Sequence, residues 1–483
     1  METIKLILDL FGATIFVPVV VFILSLCMKV EPNKAFKGAL YMGIGLTAFN
    51  IIIGALTGSL GPIITEMVNS SGINLPCIDI GWPAASVIVY ANRIGLFFIP
   101  FGLAFDLILF LTKWTDTFHP TDFCNYYFFV FWAAIVQLET GSFVLGIIAG
   151  MLLNLILLLL ADWIAPSMEC YYGYQGVVST CYCSVSGMPF AIFMKWIFKK
   201  TGLYKINIDP TKIREKFGFW GEPVTMGLII GFAVSFIAKI HSLGVLENWA
   251  IMLKTAILTG AVMALYPSVS GLFVKGLIPL TQTLNARMRS GEMTRKNMNI
   301  AIDPAVFFGE ESNIASGLVL IPLMLAVAVI LPGNIILPLA DLPALPFMII
   351  GITCVMGGNV FASVVTGALW LSIGYLMNSE VAATFTEAAR NVNAVSDSAG
   401  DALVTSFLVG HNPFGWIVYK AFTAPEGMRI FAIVACFAVY FIVYFLYRKN
   451  AKAWQLAAGA TPEYFEEKEA IWREAQENKA AKA

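Results

Sequence analysis

Runs of apolar residues long enough to cross a lipid bilayer recur from one end of this chain to the other. A helical span needs about 20 such residues, because each residue advances about 1.5 Å and the hydrocarbon layer is about 30 Å thick. Runs of this character lie near 6–28, 38–64, 87–111, 143–161, 185–198, 224–238, 250–280, 314–332, 346–376, 402–422 and 428–447. Several are interrupted by Gly, Pro or a polar residue, and counted by hydrophobic length they predict about eleven crossings. Composition agrees. Of 483 residues, 58% are hydrophobic and 13% charged, against about 25% charged in a soluble domain. A single soluble core of this size is excluded on scale, since cores stop growing near ~250–300 residues. The expected fold is an all-α polytopic membrane protein.

Other classes are set aside by what the chain lacks. A net charge of −1 leaves no nucleic-acid footprint. The N-terminal stretch METIKLILDLFGATIFVPVVVFILSLC has Glu2 and Asp9 around a long apolar run and no A-x-A site, so it reads as a retained first span and not as a signal peptide. The cysteines lie mostly in apolar runs with no CxxC, and Cys181 and Cys183 are too closely spaced for a usual zinc pair. They read as packing residues. His119, His241 and His411 are too scattered for a metal cluster. No cofactor is expected.

Basic loops orient the spans, because Lys and Arg accumulate on the cytoplasmic side. Lys29, Lys34 and Lys37 follow the first run, and Lys195, Lys199, Lys200, Lys205, Lys212, Arg214 and Lys216 form a mid-chain cluster. Arg287, Arg289, Arg295 and Lys296 form another, and Arg448, Lys449 and Lys452 follow the last run. With the crossings above, all are cytoplasmic only if the N-terminus is outside and the C-terminus inside. The tail TPEYFEEKEAIWREAQ predicts a cytosolic helix, with Thr461 as cap, Pro462 at the first position and Glu463, Glu466 and Glu467 near the positive end.

The apolar runs also repeat. GLFFIPFGLAFDLIL (95–109) and GLVLIPLMLAVAVIL (317–331) are identical at eight positions, including Gly95/Gly317 and Pro100/Pro322. A shift of about 217 to 224 residues brings further pairs together in order. FKGALYMGIG (36–45) meets LKTAILTGAV (253–262), Pro62 meets Pro279, and Pro83-Ala84 meets Pro304-Ala305. GSFVLGIIAG (141–150) meets GNVFASVVTG (358–367), and GMPFAIFMKWIF (187–198) meets HNPFGWIVYKAF (411–422). The chain therefore divides into halves 1–217 and 218–425, a final span 426–450 and a tail 451–483. About five crossings per half is an odd number, so the second half is expected to be inverted, as in many transporters, with the binding site near the midplane between broken segments.

Polar residues within such runs are costly and are functional candidates for that reason. They cluster in repeat-related pairs. CIDIGWPAAS (77–86) carries Asp79, Trp82 and Ser86. Its partner AIDPAVFFGEESNIASG (301–317) carries Asp303, Glu310, Glu311, Ser312 and Asn313. Both are too short and punctuated to span and suit re-entrant hairpins. VQLETGSF (136–143) offers Gln137, Glu139, Thr140 and Ser142, and VMGGNVF (355–361) offers Asn359. Gly141 and Gly357-Gly358 permit broken helices there. The third pair offers Gln175, Ser179, Thr180 and Ser184 in the first half, and Asp401 and His411 in the second. Amides, carboxylates and hydroxyls suit a neutral polyol, whose hydroxyls both donate and accept; Trp82 would stack on a C–H face. Each residue also has a structural reading, as a helix cap or helix–helix hydrogen bond. Glu222-Pro223 opens a span and reads first as a cap, with a cytoplasmic-side gate as the alternative.

Four strings, DIGWPAAS, KFGFWGEPVTMGLIIG, IDPAVFFG and LPGNIILPLADL, closely resemble the galactitol-type membrane IIC subunit of the bacterial phosphoenolpyruvate-dependent sugar phosphotransferase system, a group that includes ascorbate permeases. The resemblance runs from the first span to about residue 447. It implies a homodimer in the bacterial inner membrane with an eleven-span inverted-repeat fold. A scaffold from the first two spans of each repeat would carry the dimer contact, and a core domain would move elevator-fashion with the sugar. It further implies that a cytosolic IIB partner, loaded by IIA, phosphorylates the bound sugar, so that this chain carries no phosphoryl group itself. One departure is at Cys181-Tyr182, where the family pattern has a His-Gly pair, which bears on which sugar is taken. The rival reading is an ion- or proton-coupled transporter in which Glu139, Asp303 or Glu310 carries protons. An intramembrane enzyme is disfavoured, since no G-x-S-x-G or H-E-x-x-H string is present.

Overall fold

In a computed structural model of the chain, the described residues are 15, 18–19, 21–23, 25–71, 75–119, 123–206, 208, 219, 222–290, 295–392, 394 and 403–482. Most of the expected first span, the basic residues Lys212, Arg214 and Lys216, and Asp401 lie outside them. Two long helices dominate one part of the molecule. Helix α1 (Pro32–Ser71) has 40 residues and α9 (Leu246–Arg289) has 44, each about 60 Å or more in length. They pack along each other and against α8 (Pro223–Lys239). Small residues allow the close approach: a Cβ built on Gly38 would lie 2.6 Å from the Gly276 carbonyl oxygen. Lys239 of α8 pairs with Glu66 of α1. Glu222 is the N-cap of α8, without a side-chain capping bond, and Pro223 is the first helical residue.

The rest of the chain alternates short strands, hairpin helices and spans. In the first half come β1 (Cys77–Asp79), α2 (Trp82–Ala91), α3 (Arg93–Leu111), β2 (Thr117–Phe118), α4 (Phe123–Thr140), α5 (Phe143–Tyr172), β3 (Val177–Ser179), α6 (Tyr182–Val185) and α7 (Met188–Thr201). In the second come β4 (Asn299–Ile302), α10 (Ala305–Phe308), α11 (Glu311–Ile330), β5 (Ile336–Leu337), α12 (Leu345–Met348), α13 (Ile350–Met356), α14 (Val360–Asn391), β6 (Leu403–Thr405), α15 (Phe407–Gly410) and α16 (Pro413–Phe422). Helices α17 (Glu426–Ala458) and α18 (Pro462–Lys482) end the chain.

The strands form two small parallel sheets of the same plan. One has the order β5-β1-β6 and the other β2-β4-β3. In each, a central strand from one half of the chain lies between two strands of the other half. The registers correspond: Cys77 pairs with Leu403 and Asp79 with Thr405, while Val177 pairs with Ile300 and Ser179 with Ile302. Buried backbone must be hydrogen-bonded, and the extended ends of the hairpins meet that demand by pairing with each other across the halves.

Among the described residues, six helices are long and apolar enough to cross a membrane: part of α1 (Pro32–Ile52), α5, part of α9 (Leu246–Leu265), α11, α14 and α17. Other apolar runs are shorter or broken. The run 346–376 is interrupted at Gly357 and Gly358, with φ of 64° and 76°, and 402–422 divides into β6, α15 and α16. The apolar outer face of α17 (Ile430, Phe431, Val434, Ile442 and Phe445) is exposed, as a lipid-facing helix requires. Its inner face packs on the first half. Trp114 stacks on Tyr444 with ring centroids 4.2 Å apart and donates from Nε1 to Tyr440 Oη at 2.9 Å. The tail forms a helix at the expected place, α18, with Tyr464 N donating to Thr461 Oγ1. Lys468 pairs with Glu169 of α5 at 3.0 Å, and Glu469 pairs with Lys296.

Candidate functional site

Three groupings of polar side chains emerge. The first anchors the hairpins. Asp79 ends β1 and is buried. Its Oδ1 accepts from Gly81 N and Phe407 N, both at 3.1 Å, and its Oδ2 accepts from Asp341 N at 2.8 Å. Asp341 reciprocates. Its Oδ1 accepts from Trp82 N at 2.8 Å, and its Oδ2 accepts from Ser406 Oγ at 2.6 Å and Leu408 N at 2.9 Å. Two carboxylates thus bind backbone from opposite halves. Trp82 lies against Tyr127, centroids 6.2 Å apart and nearly parallel, and Ser86 donates to Pro83 O at 2.8 Å. Asp303 opens the related hairpin and accepts from Ala305 N at 2.7 Å, the same i+2 bond that Asp79 makes to Gly81.

The second grouping surrounds the break between α4 and α5. Gly141 has φ 65°, a left-handed conformation that glycine adopts without penalty. Ser142 caps α5 by accepting from Leu145 N at 3.3 Å. Thr140 donates to Val136 O at 2.7 Å. Glu139 is exposed; its Oε1 accepts from Thr384 Oγ1 of α14 at 2.5 Å and from Tyr419 Oη of α16 at 3.4 Å. Gln137, two residues earlier on α4, is half-buried and its Oε1 has no partner.

The third grouping surrounds the corresponding break between α13 and α14. Asn359 caps α14 by accepting from Ala362 N at 3.2 Å and donates to Ile206 O at 3.0 Å. Glu310 caps α11, accepting from Ser312 N at 3.0 Å and Asn313 N at 2.8 Å. Asn313 donates to Phe308 O and Pro346 O. Tyr171, at the end of α5, reaches Glu310 and Ser312. A Cβ built on Gly358 would lie 2.7 Å from Tyr171 Oη and 3.1 Å from Ser312 Oγ, so glycine makes room for this cluster. Glu311 lies half-buried at the start of α11, and Gln175 is exposed beside β3.

Of the residues singled out above, Gln137, Glu139 and Thr140 come together at one break, and Glu310, Asn313 and Asn359 at the other. Asp79 and Trp82 meet the α15 hairpin, which also carries His411. Asp341, Tyr171, Thr384 and Tyr419 join these groups without having been singled out. Asp341 lay inside LPGNIILPLADL, but nothing in its spacing showed the strand it would reach. A polar cavity of about 610 Å³ lies elsewhere, beneath α18, lined by Asp116, Asp162, Lys296, Lys452, Lys468 and Arg473 among others. Among the described residues no group of three or more His, Cys, Asp or Glu is placed to hold a metal ion. Each break offers neutral hydrogen-bonding groups beside a carboxylate, and the two lie at opposite ends of α14: Glu139 meets that helix at Thr384 and Asn359 caps its start, about 36 Å away along the axis.

Comparison with known proteins points to the same class. A family model described as "PTS system sugar-specific permease component" matches residues 6–400. The chain is 29% identical, over 452 residues, to the "PTS system galactitol-specific EIIC component" of Escherichia coli K12, covering 93% of this chain and 97% of that protein. The protein of the same description from Escherichia coli O157:H7 matches with the same identity and coverage.

Proposed function

This chain belongs to the sugar-specific permease components of the phosphotransferase system, and from that premise we propose that it binds a galactitol-like polyol between two inverted halves and presents it for phosphorylation by a cytosolic IIB partner. It is a transport subunit embedded in the membrane. The substrate class follows the relatives' stated specificity. The observation that carries the reading is the placement of Thr140-Gly141-Ser142 and Gly357-Gly358-Asn359, 217 residues apart, at equivalent breaks before α5 and α14, each beside a carboxylate from Glu139 or Glu310.

Two inverted repeats (1–217 and 218–425), a final span (426–450) and a cytosolic tail (451–483) complete the proposal, with about eleven crossings, the N-terminus outside and the C-terminus inside. Support comes from the two sheets, which exchange strands between the halves on one plan. The bundle of α1, α8 and α9 is the natural scaffold and dimer surface, and the hairpin-bearing remainder the core that moves with the sugar. Phosphoryl transfer needs no carrier residue here, because the IIB partner brings the phosphoryl group and the polyol hydroxyl receives it.

Vesicles containing this chain test the reading. Uptake of galactitol should require phosphoenolpyruvate together with the soluble components, should yield the sugar phosphate, and should persist when a protonophore collapses the proton gradient. Uptake abolished by the protonophore alone, with free galactitol accumulating, would favour the proton-coupled alternative.

A further inference from the structure

We infer that Ser186, Trp370 and His411 together form a subsite for one hydroxyl group of the polyol, an inference that rests on the sugar-binding reading above. Two hairpin tips build it. Helices α6 and α15 follow β3 and β6, and each ends in a buried turn, Ser186-Gly187 after α6 and His411-Asn412 after α15. Both turns rest on one helix, α14. A Cβ built on Gly187 would lie 3.4 Å from Trp370 Nε1, and one built on Gly374 would lie 2.6 Å from His411 Cβ. Trp370 and Gly374 are one turn apart, about 6 Å along the helix axis. The tip from the first half and the tip from the second half therefore rest on one stretch of α14, one turn apart and far from both of its ends.

The polar atoms there are orphaned. Ser186 and His411 are fully buried and Trp370 is 5% exposed. Ser186 Oγ, Trp370 Nε1 and His411 Nε2 have no hydrogen-bond partner within the protein. Buried polar atoms find partners in roughly 90% of cases or more, so three orphans where two tips rest on one turn of α14 need an explanation. Their chemistry selects one. His411 Nδ1 is 2.8 Å from Leu408 O. A carbonyl only accepts, so Nδ1 carries the proton and Nε2 presents a lone pair. Trp370 Nε1 can only donate, and Ser186 can do both. A cation would be repelled by the indole N–H, and an anion by the imidazole lone pair. An alcohol, which gives one proton and accepts others, satisfies all three.

The subsite is tested on the purified full-length protein by calorimetric titration with galactitol and with hexitols that each lack one hydroxyl. Trp370→Phe keeps the ring and removes the N–H. Its affinity for galactitol should fall about tenfold, the size expected for one lost hydrogen bond in a buried site, with the ligand-free unfolding temperature unchanged. Wild-type protein should discriminate against one particular deoxyhexitol, and Trp370→Phe should lose that discrimination. Ser186→Ala should shift both readouts in the same direction and serves as the test should the tryptophan variant misfold. If both variants bind galactitol and every deoxyhexitol as the wild type does, the atoms hold only water and the subsite is overturned. If wild-type protein binds no polyol at all, the sugar reading fails first and takes the subsite with it.

Discussion

Asp79 and Glu139 are both carboxylates in apolar sequence, but the fold employs them differently. Asp79 is buried and accepts backbone N–H groups from Gly81, Asp341 and Phe407. Removing the carboxylate leaves those donors without partners, at about 1–3 kcal/mol for each orphaned group. Asp79→Ala and Asp341→Ala are therefore expected to lower the unfolding temperature sharply or to prevent recovery of monodisperse protein, whether or not sugar is present. Glu139 is exposed and takes hydroxyl donors from Thr384 and Tyr419. Glu139→Gln keeps an oxygen for those contacts, so stability should hold while polyol affinity falls about tenfold. Thermal unfolding and binding, measured side by side, separate the two roles. A stable Asp79→Ala, or a Glu139→Gln that binds as well as wild type, would reverse the assignment. From sequence both residues were equal candidates, because the partners that distinguish them lie about 245 to 330 residues away.

At the level of elements, the helix breaks carry the argument, and the two are not alike. Gly141 and Gly358 both have positive φ, where an L-residue costs about 1–2 kcal/mol. A Cβ at Gly141 meets nothing within 4 Å, whereas one at Gly358 would lie 2.7 Å from Tyr171 Oη and 3.1 Å from Ser312 Oγ. Gly141→Ala should therefore lose only the backbone increment and keep much of its polyol binding. Gly358→Ala should also displace Tyr171 and Ser312 beside Glu310 and lose binding by a larger factor. Equal effects in a titration would show that the cluster at the second break is not part of the site. These breaks were legible in sequence because Gly-Gly and Thr-Gly-Ser interrupt apolar runs. The cap at Thr461 was legible too, since local hydrogen bonding decides it. The parallel strands were not, because each has at most four residues and pairs only with strands distant in sequence. The run 185–198 lies mostly in α7, whose basic last turn carries Lys199 and Lys200.

For the whole molecule, the question is whether the halves are inverted. Strand exchange gives a reason why they would be hard to separate: each sheet takes its central strand from one half and its flanking strands from the other, so neither half completes its own hairpins. Inversion makes a prediction about faces. The loop after α3 contains Thr112, exposed and close to Trp114, which packs on α17; with the C-terminus inside, as proposed from the basic residues after the last span, that end of α17 is cytoplasmic. The corresponding loop after α11 contains Pro332, also exposed. Thr112→Cys and Pro332→Cys, each in a background stripped of native cysteines, should react with a membrane-impermeant maleimide from opposite sides. Thr112→Cys should be labelled only in inverted vesicles and Pro332→Cys in intact cells. Labelling of both from one side would mean that the two halves cross the bilayer in the same sense. The midplane site shared between them would then lose its geometric basis, because only an inverted pair places equivalent broken helices at mirrored depths around one solute.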